Sequence, residues 1–229
     1  MDRLSDSTTF CRDHADTALA PSATAHFLAA NPDFDGSVLM VEREPTFSRA
    51  ATALSSSSIR HQFSTEINIQ LSMFGTQFIK SFGDECEVNG DRPDLGFQEN
   101  GYLYLVDERN HDTLIENHER QKRLGADVVL LEPEQIAQRY PWIVTDTVTV
   151  GNLGQSGEGW FDNTGLMQGM RNKARSRGVD YIVDEVVAIG RSGQRITSAT
   201  LASGRTITCG TLVNAAGPWA NDVCAMAGL

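Results

Sequence analysis

A short apolar run that ends in a carboxylate, residues 37–42, is the feature that most constrains the fold. A helical pattern at residues 23–30 precedes this run. A helix followed by a buried strand is typical of a βαβ unit, in which an acidic residue at the end of the second strand accepts hydrogen bonds from ribose hydroxyls. The sequence therefore predicts that Glu42 binds the ribose of a dinucleotide.

The turn that should lead into this helix contains no glycine, because the first glycine of the chain is Gly36. A G-x-G-x-x-G motif would fall near residues 16–21, where the glycine places are taken by Asp16, Ala18 and Pro21. An aspartate adds negative charge beside a diphosphate, an alanine adds a Cβ and a proline removes an amide donor. We therefore expect this turn to bind pyrophosphate poorly or not at all.

The residues before this turn are also unlike a first strand. Residues 1–14 lack an apolar β-branched run and carry many charged side chains. We expect the first strand to be missing and residues 1–21 to form an atypical, disordered leader. A replaced beginning, as in a gene remnant, would explain both features, and an unusual but functional N-terminus is the alternative.

Composition and charge exclude several classes of protein. The 229 residues are 40% hydrophobic and 21% charged, which suits a globular chain with one substantial core or two smaller ones. The formal net charge of −11 disfavours nucleic acid or an anionic membrane as a partner. No membrane span or secretion signal is recognised, so a cytoplasmic location is expected. The four cysteines are scattered and indicate neither a metal site nor a disulfide framework.

A stretch of small and hydroxylated residues follows the predicted strand, at positions 48–64. Small residues allow the backbone to pass close to a ligand, and their hydroxyls and amides can line the ribityl and phosphate groups of a cofactor. Arg49 or Arg60 could offset the phosphate charge. The alternative is a flexible serine loop.

Near the end of the chain, a buried-strand pattern at residues 211–215 leads into Gly217 and Pro218. Glycine permits close approach of the backbone, and proline suits the first position of a helix, here predicted over residues 219–227. A strand therefore leads through a tight turn into a helix. An ordinary crossover between strand and helix is the alternative.

Together, residues 41–43, residues 55–60 and residues 213–220 resemble the D-amino-acid oxidase and sarcosine oxidase family of FAD-dependent oxidoreductases, which includes glycine oxidase-like enzymes. The resemblance covers residues 22–229 but only the first half of the family pattern. It implies that the acidic residue holds the adenosine ribose, that the serine segment runs along the flavin and that the last turn closes over the cofactor. The cofactor-binding residues implied for FAD are Glu42, Arg43, Ser55, Ser56, Ser57, Ser58, Val186, Val187, Ala215, Ala216, Gly217 and Trp219.

The resemblance also implies a fold class and a division into domains. The expected fold is α/β with α+β elements: a Rossmann-like FAD-binding domain with a β-meander, plus part of a substrate domain with a mixed or antiparallel sheet. Residues 22–90 and 159–229 would form the FAD-binding domain, and residues 91–158 the partial substrate domain. Within the latter, residues 96–106 read as a strand pair and residues 109–124 as a helix. Turns at residues 191–195 and 202–205 predict the meander.

The family oxidises a neutral amine or amino acid by hydride transfer to the flavin. Arg60 and His61 are the candidates for catalytic residues, because guanidinium pairs with carboxylate and imidazole titrates near neutrality. A surface position is the alternative for His61. His26, His111 and His118 are expected to be solvated. Helical spacing predicts that Met73, Phe74 and Phe78 are core residues.

Three functions remain open from the sequence. The first is an amine or amino-acid oxidoreductase of sarcosine, glycine or D-amino-acid type, impaired in a chain of this length, with oxygen or an electron-transfer protein as the electron acceptor. The second is a non-catalytic remnant that does not bind FAD. The third and weakest is a nicotinamide-dependent Rossmann enzyme, for which the meander and the final turn have no evident use.

Overall fold

The computed structural model describes residues 8–11, 19–48 and 50–229, with side chains described from residue 19 onward. The strands in these residues are β1 Thr8–Cys11, β2 Val38–Glu42, β3 Ser58–Ile59, β4 Leu103–Val106, β5 Val128–Leu131, β6 Val150–Gly154, β7 Gly159–Trp160, β8 Asp180–Val183, β9 Val186–Ser192, β10 Arg195–Leu201, β11 Thr206–Thr208 and β12 Thr211–Asn214. The helices are α1 Leu19–Ala30, α2 Ala51–Leu54, α3 Glu66–Lys80, α4 Phe82–Glu85, α5 His111–Arg123, α6 Pro133–Arg139, α7 Asn163–Ser176 and α8 Ala220–Met226. Single 3₁₀ turns, Glu108–Asn110 and Gly217–Trp219, precede α5 and α8.

The chain divides into two compact units. Unit 1 consists of the described residues up to Ser55 together with Cys86–Asp94 and Asn163–Leu229. Unit 2 consists of Ser56–Glu85 and Leu95–Asp162. The sequence assigned residues 56–85 to the cofactor-binding domain, whereas in the structure they cluster with unit 2.

Unit 1 contains a four-stranded parallel sheet with the strand order β12-β1-β2-β8. The expectation that the first strand is missing is wrong, because β1 lies between β2 and β12 and pairs with both. Its four residues include two threonines and a phenylalanine, which suit a strand when pairing partners lie on both sides. Asp16 and Ala18 lie outside the described residues. Pro21 lies in the first turn of α1, where a missing N–H costs no helical hydrogen bond.

The parallel sheet of unit 1 is covered on both faces. Ala25 of α1 and Ala174 of α7 form a buried cluster with Val38 and Met40 of β2. The alternate residues Leu39 and Val41 pack in another buried cluster, with side chains of the antiparallel sheet β11-β10-β9. The predicted α/β fold with a β-meander is confirmed.

The meander follows the turns that the sequence indicated. Gly193 and Gly204 have φ values of +61° and +87° at the two turns, a conformation that favours glycine. The chain passes from the parallel sheet to the meander between two successive strands, because β8 belongs to the parallel sheet and β9 to the meander. Asp184 separates the two, and its N–H donates to the Glu42 carbonyl oxygen at 3.0 Å.

Unit 2 contains a three-stranded antiparallel sheet with the order β4-β6-β5, and β3 pairs with β7. Ile136 of α6 is fully buried in the core of this sheet with Leu131 and Leu153. The strand pair predicted over residues 96–106 is wrong, since only β4 forms there. Gly101, just before β4, has a φ of +73°, outside the extended conformation of a strand, and it lies against the Gly154 carbonyl group.

Three side chains differ from their expected exposure. His26 and His118, predicted to be solvated, are 2% and 4% exposed. His118 bonds Asn152 Oδ1 through Nδ1 at 2.9 Å, so its burial is accompanied by a polar partner. Phe74, predicted to be a core residue, is 55% exposed on α3.

In the part of the chain that the structure describes, no helix is long and apolar enough to cross a membrane. The same residues contain no cluster of three His, Cys, Asp or Glu side chains suited to a metal ion. Cys86, Cys209 and Cys224 form no disulfide within the described residues.

The pH dependence of stability should report the burial of His26. Burial, followed by the charges of Arg177 and Lys173, lowers the pKa of His26 to about 4. Because the folded state holds the neutral imidazole, the stabilisation is present above pH 6.5 and is lost as the pH falls toward 4. We expect the free energy of unfolding to fall by about 3 kcal/mol from this residue over that interval.

Urea unfolding at a series of pH values measures this change. His26→Gln, which does not titrate, should remove that part of the pH dependence. His111→Gln is the matched control, because the His111 side chain is 40% exposed. Equal pH dependence in the chain and in His26→Gln would contradict the prediction.

Candidate functional site

Glu42 lies at the carboxyl end of β2, in the middle of the parallel sheet, and is 3% exposed. Its Oε1 accepts a hydrogen bond from the Glu44 N–H at 2.8 Å. Ligands of open α/β sheets bind outside the carboxyl ends of the strands. Arg43, the next residue, pairs with Glu185 at 3.4 Å. Glu42 therefore lies at the edge where a dinucleotide would be expected, and Arg43 is engaged by a neighbouring acid.

The turn after β12 reaches the same edge of the sheet. Asn214 organises it, since its Oδ1 accepts the Ala216 N–H at 3.2 Å and its Nδ2 donates to the Ala220 carbonyl at 2.8 Å. Ala216 is fully buried, and Gly217 has a φ of +54°. The predicted helix of residues 219–227 is observed as α8, Ala220–Met226, and a 3₁₀ turn, Gly217–Trp219, precedes it. Residues 215–219 thus form a compact turn held by one amide side chain.

Val186 and Val187 lie at the start of β9. The Val186 side chain is fully buried in the core between the parallel sheet and the meander. Val187 is 46% exposed. Any ligand contact at Val186 would therefore be made by its backbone.

The serine segment is split between the two units. Ser55 follows α2 in unit 1 and is exposed, and Ser56 begins unit 2. Ser57 has a φ of +56°, and its carbonyl accepts the Phe161 N–H at 2.9 Å. Ser58 belongs to β3, and its hydroxyl accepts a hydrogen bond from the Tyr102 hydroxyl. The hydrogen bonds of Ser57 and Ser58 fix the end of the segment, and Arg49 lies outside the described residues.

Unit 2 holds residues 60–63 mainly through side chains. Ser72 Oγ donates to the Arg60 carbonyl, and the His61 N–H donates to Glu158 Oε1 at 2.7 Å. Gln121 Nε2 donates to the Phe63 carbonyl at 3.0 Å. The backbone of this segment is therefore fixed although it lies outside any sheet or helix.

The guanidinium of Arg60 lies against two aromatic rings of unit 2. Its central carbon is 4.7 Å from the Phe63 ring centre and 5.8 Å from the Tyr104 ring centre. Cation–π attraction stabilises a guanidinium in such a position. Arg60 Nε is buried and has no hydrogen-bond partner within the described residues. Arg60 therefore combines a fixed position with an unsatisfied donor.

His61 is buried at 6% exposure, so the alternative of a surface histidine is wrong. Its Nε2 lies 2.9 Å from Thr76 Oγ1, and the Thr76 hydroxyl donates to the Gly157 carbonyl at 2.8 Å. Because the Thr76 hydroxyl proton is already donated to Gly157, His61 Nε2 must carry a proton and donate it to Thr76 Oγ1. Burial and the charge of Lys80 lower the pKa of His61, with Glu99 acting in the opposite direction. His61 is thus a neutral interior side chain.

Glu158, which no sequence motif singled out, is fully buried at the centre of these contacts. Besides the His61 N–H, it accepts Gln62 Nε2 at 2.9 Å through Oε2. Burial raises the pKa of Glu158, while hydrogen bonds from Gln62, His61 and the Tyr102 backbone and the charge of Arg60 act to lower it. The sequence feature that could have identified Glu158 is its position as an acidic residue between two glycines, Gly157 and Gly159.

Known proteins resemble this chain in sequence and in fold. The sequence profile of the DAO family, described as FAD dependent oxidoreductase, matches residues 22–229. The chain belongs to this family. The membership predicted from the sequence is confirmed.

Curated relatives of this FAD-dependent oxidoreductase family support the assignment. The chain is 36% identical over 211 residues to the FAD-dependent oxidoreductase domain-containing protein 1 of Xenopus laevis, covering 84% of this chain and 42% of the relative. The Bos taurus protein of the same name is 36% identical over 214 residues, covering 84% and 43%. The chain thus spans less than half the length of these relatives.

Solved structures of low sequence identity share the fold. L-proline dehydrogenase from P. horikoshii superposes with a TM-score of 0.80 at 23% identity, covering 98% of this chain and 56% of that chain. Glycine oxidase from Geobacillus kaustophilus gives a TM-score of 0.75 at 19% identity, covering 98% and 58%. Both comparisons support the family fold.

Substitution of Gly157 should test how tightly this site is packed. Gly157 has a φ of +74°, and a Cβ there would lie 2.5 Å from His61 Cε1. Gly96 in the same unit has a φ of +56°, but a Cβ there would point into open space. Gly96→Ala should lower the free energy of unfolding by about 1–2 kcal/mol through backbone strain alone. Gly157→Ala should cost about 1–3 kcal/mol more, because His61 must move.

Denaturant unfolding of both variants measures this difference. Equal costs for Gly157→Ala and Gly96→Ala would show that His61 is not tightly packed against the Gly157 turn.

Proposed function

We propose that this chain is part of an FAD-dependent oxidoreductase that oxidises an amine or amino acid of sarcosine, glycine or D-amino-acid type. Family membership supports the redox chemistry. Two proteins of similar fold are named as an L-proline dehydrogenase and a glycine oxidase, which supports an amino-acid substrate. Because the chain spans 42% of its relative from Xenopus laevis, the activity of the whole protein is part of the proposal.

The observation that carries the proposal is the state of Arg60. Its guanidinium is held by aromatic rings and retains a buried Nε donor without a partner in the described part of the chain. A guanidinium pairs with a carboxylate through parallel N–H donors, and the pairing strengthens where water is excluded. An amino acid supplies such a carboxylate.

The residues of unit 1 fit the adenosine end of FAD. A buried carboxylate, Glu42, lies at the carboxyl edge of a parallel sheet, as ribose recognition requires. The backbone of Val186 and the turn of Ala215, Ala216, Gly217 and Trp219 would approach the cofactor by analogy with the family. Residues 12–18, which would meet the pyrophosphate, lie outside the described residues.

FAD, when bound, supplies the acceptor for a hydride from the carbon next to the substrate nitrogen, and water then hydrolyses the resulting imine. The residues of this chain would bind and orient the substrate and the cofactor. Arg60 would fix the substrate carboxylate, and the rings of Phe63 and Tyr104 would exclude water from that ion pair. The serine segment, Ser55, Ser56, Ser57 and Ser58, would offer hydroxyls and amides to the cofactor. The buried His61 ring supports positioning of the segment rather than proton transfer with solvent.

The electron acceptor and the cellular location are further parts of the proposal. Oxygen or an electron-transfer protein would reoxidise the flavin, and a cytoplasmic location is expected from the sequence. A non-catalytic remnant that does not bind FAD is the competing possibility, favoured by the absence of glycine before Gly36.

Flavin retention tests the cofactor assignment. The purified chain is incubated with FAD and desalted, and we expect flavin absorbance between about 350 and 500 nm to remain. Glu42→Gln should weaken FAD binding about tenfold or more, since a hydrogen bond to a charged group contributes about 1.5–3 kcal/mol. Glu185→Gln is the control, because it removes the same charge from the partner of Arg43. Complete loss of flavin from the folded chain would favour the remnant.

Carboxylate binding tests the role of Arg60 without requiring turnover. We expect the chain to bind benzoate, measured by titration calorimetry, and Arg60→Gln to weaken that binding about tenfold or more. Arg109→Gln is the control in the same unit, because the Arg109 side chain is 88% exposed and its ion-pair partner within the described residues is Asp107. Equal benzoate affinity in the chain and in Arg60→Gln would contradict the proposed role.

A further inference from the structure

We infer that Glu158 is a positioning residue that holds the segment of Arg60 in the geometry needed to bind a carboxylate. The inference rests on the proposed function of Arg60. Glu158 acts through its neighbours, because its carboxylate bonds the His61 N–H and the Gln62 side chain, the two residues that follow Arg60.

Gln62 connects Glu158 to the strand beside Arg60. Gln62 Nε2 bonds both Glu158 Oε2 and the Tyr102 carbonyl, each at 2.9 Å. Tyr102 directly precedes β4, the strand that carries Tyr104. The carboxylate and the amide together therefore tie the backbone after Arg60 to the strand whose ring contacts the Arg60 guanidinium.

The hydrogen-bond partners of Glu158 suit a charged carboxylate, whereas its burial raises its pKa and favours the protonated form. The hydrogen bonds to its two oxygens come from N–H donors, the His61 N–H and Gln62 Nε2, an arrangement that suits an ionised carboxylate. The positive charge of Arg60 also favours the ionised form. A glutamine amide at position 158 cannot replace the carboxylate, because the NH₂ group of that amide would face either the His61 N–H or the Gln62 amide donor.

A glycine provides the space around Glu158. A Cβ on Gly154 would collide with the Glu158 carboxylate, so this position accommodates the carboxylate only as glycine. Burying an ionised carboxylate costs several kcal/mol before its partners compensate. An apolar side chain would fill the same space at lower cost. The contacts of Glu158 therefore point to a role in fixing the conformation of the Arg60 segment.

The test compares Glu158→Gln with Ile136→Ala in the full chain. Ile136 is fully buried in the same unit and belongs to the sheet core, which includes none of residues 60–63, so its substitution serves as a measure of general loss of stability. Benzoate affinity is measured by calorimetry, with Arg60→Gln giving the affinity that remains without the guanidinium. Nitrogen-15 NMR follows the Arg60 Nε–H signal, which a purely structural role of Glu158 would leave unchanged.

We expect Glu158→Gln to weaken benzoate binding about tenfold and to shift or broaden the Arg60 Nε–H signal, while Ile136→Ala changes the affinity less than about twofold. Gln62→Met removes one hydrogen-bond donor to Glu158 and keeps the carboxylate, so it should weaken benzoate binding to an intermediate degree. This variant replaces Glu158→Gln in the test if Glu158→Gln does not fold. An unchanged Nε–H signal, or an affinity loss no larger than that of Ile136→Ala, would overturn the inference.

Failure of the proposed function has a different signature. If the chain and Arg60→Gln bind benzoate equally, the role of Arg60 in carboxylate binding is overturned, and the inference about carboxylate geometry falls with it. If Arg60→Gln loses binding and Glu158→Gln does not, only the role of Glu158 is overturned.

Discussion

Burial of strand β2 on both faces is the constraint on which unit 1 depends. All five residues of Val38–Glu42 are buried. A strand with two buried faces needs a layer on each side, and here α1 and α7 cover one face while the meander covers the other. The same burial extends to the terminal carboxylate of Glu42. The layers that stabilise the strand therefore also fix the acidic group at the edge of the sheet.

Unit 2 fixes its functional segment by a different means. Residues 60–63 follow the two-residue strand β3, and their main-chain groups are bonded by Ser72, Glu158 and Gln121. Gln121 is held in turn by Asn152 of β6, whose Nδ2 donates to Gln121 Oε1 at 2.9 Å. Such networks define one conformation because each buried polar group would be costly without its partner. The rigidity of the Arg60 segment is thus a property of side chains.

The parts of the fold that the sequence predicted are those with local signals. Residues 37–42, the helix before them and the glycine turns of the meander follow from periodicity and turn chemistry. Strand β1 was missed because its four residues are stabilised by pairing with strands that lie far away in the sequence. In the site, Glu42 and Arg60 could be selected from motifs. Glu158 could not, because its partners His61 and Gln62 lie 97 and 96 residues away along the chain.

The division of roles in unit 2 follows from which hydrogen-bonding groups are satisfied. The oxygens of Glu158 accept donors from the protein itself, and the side chain is fully buried. A general base needs a lone pair within reach of a substrate proton, so this carboxylate is suited to holding structure and not to proton transfer. Arg60 is the reverse case, because its position is fixed while its Nε–H has no acceptor in the described residues. A buried carboxylate therefore holds the segment of a cation whose Nε–H has no acceptor in the described residues, and this pairing is the basis for proposing an anionic ligand there.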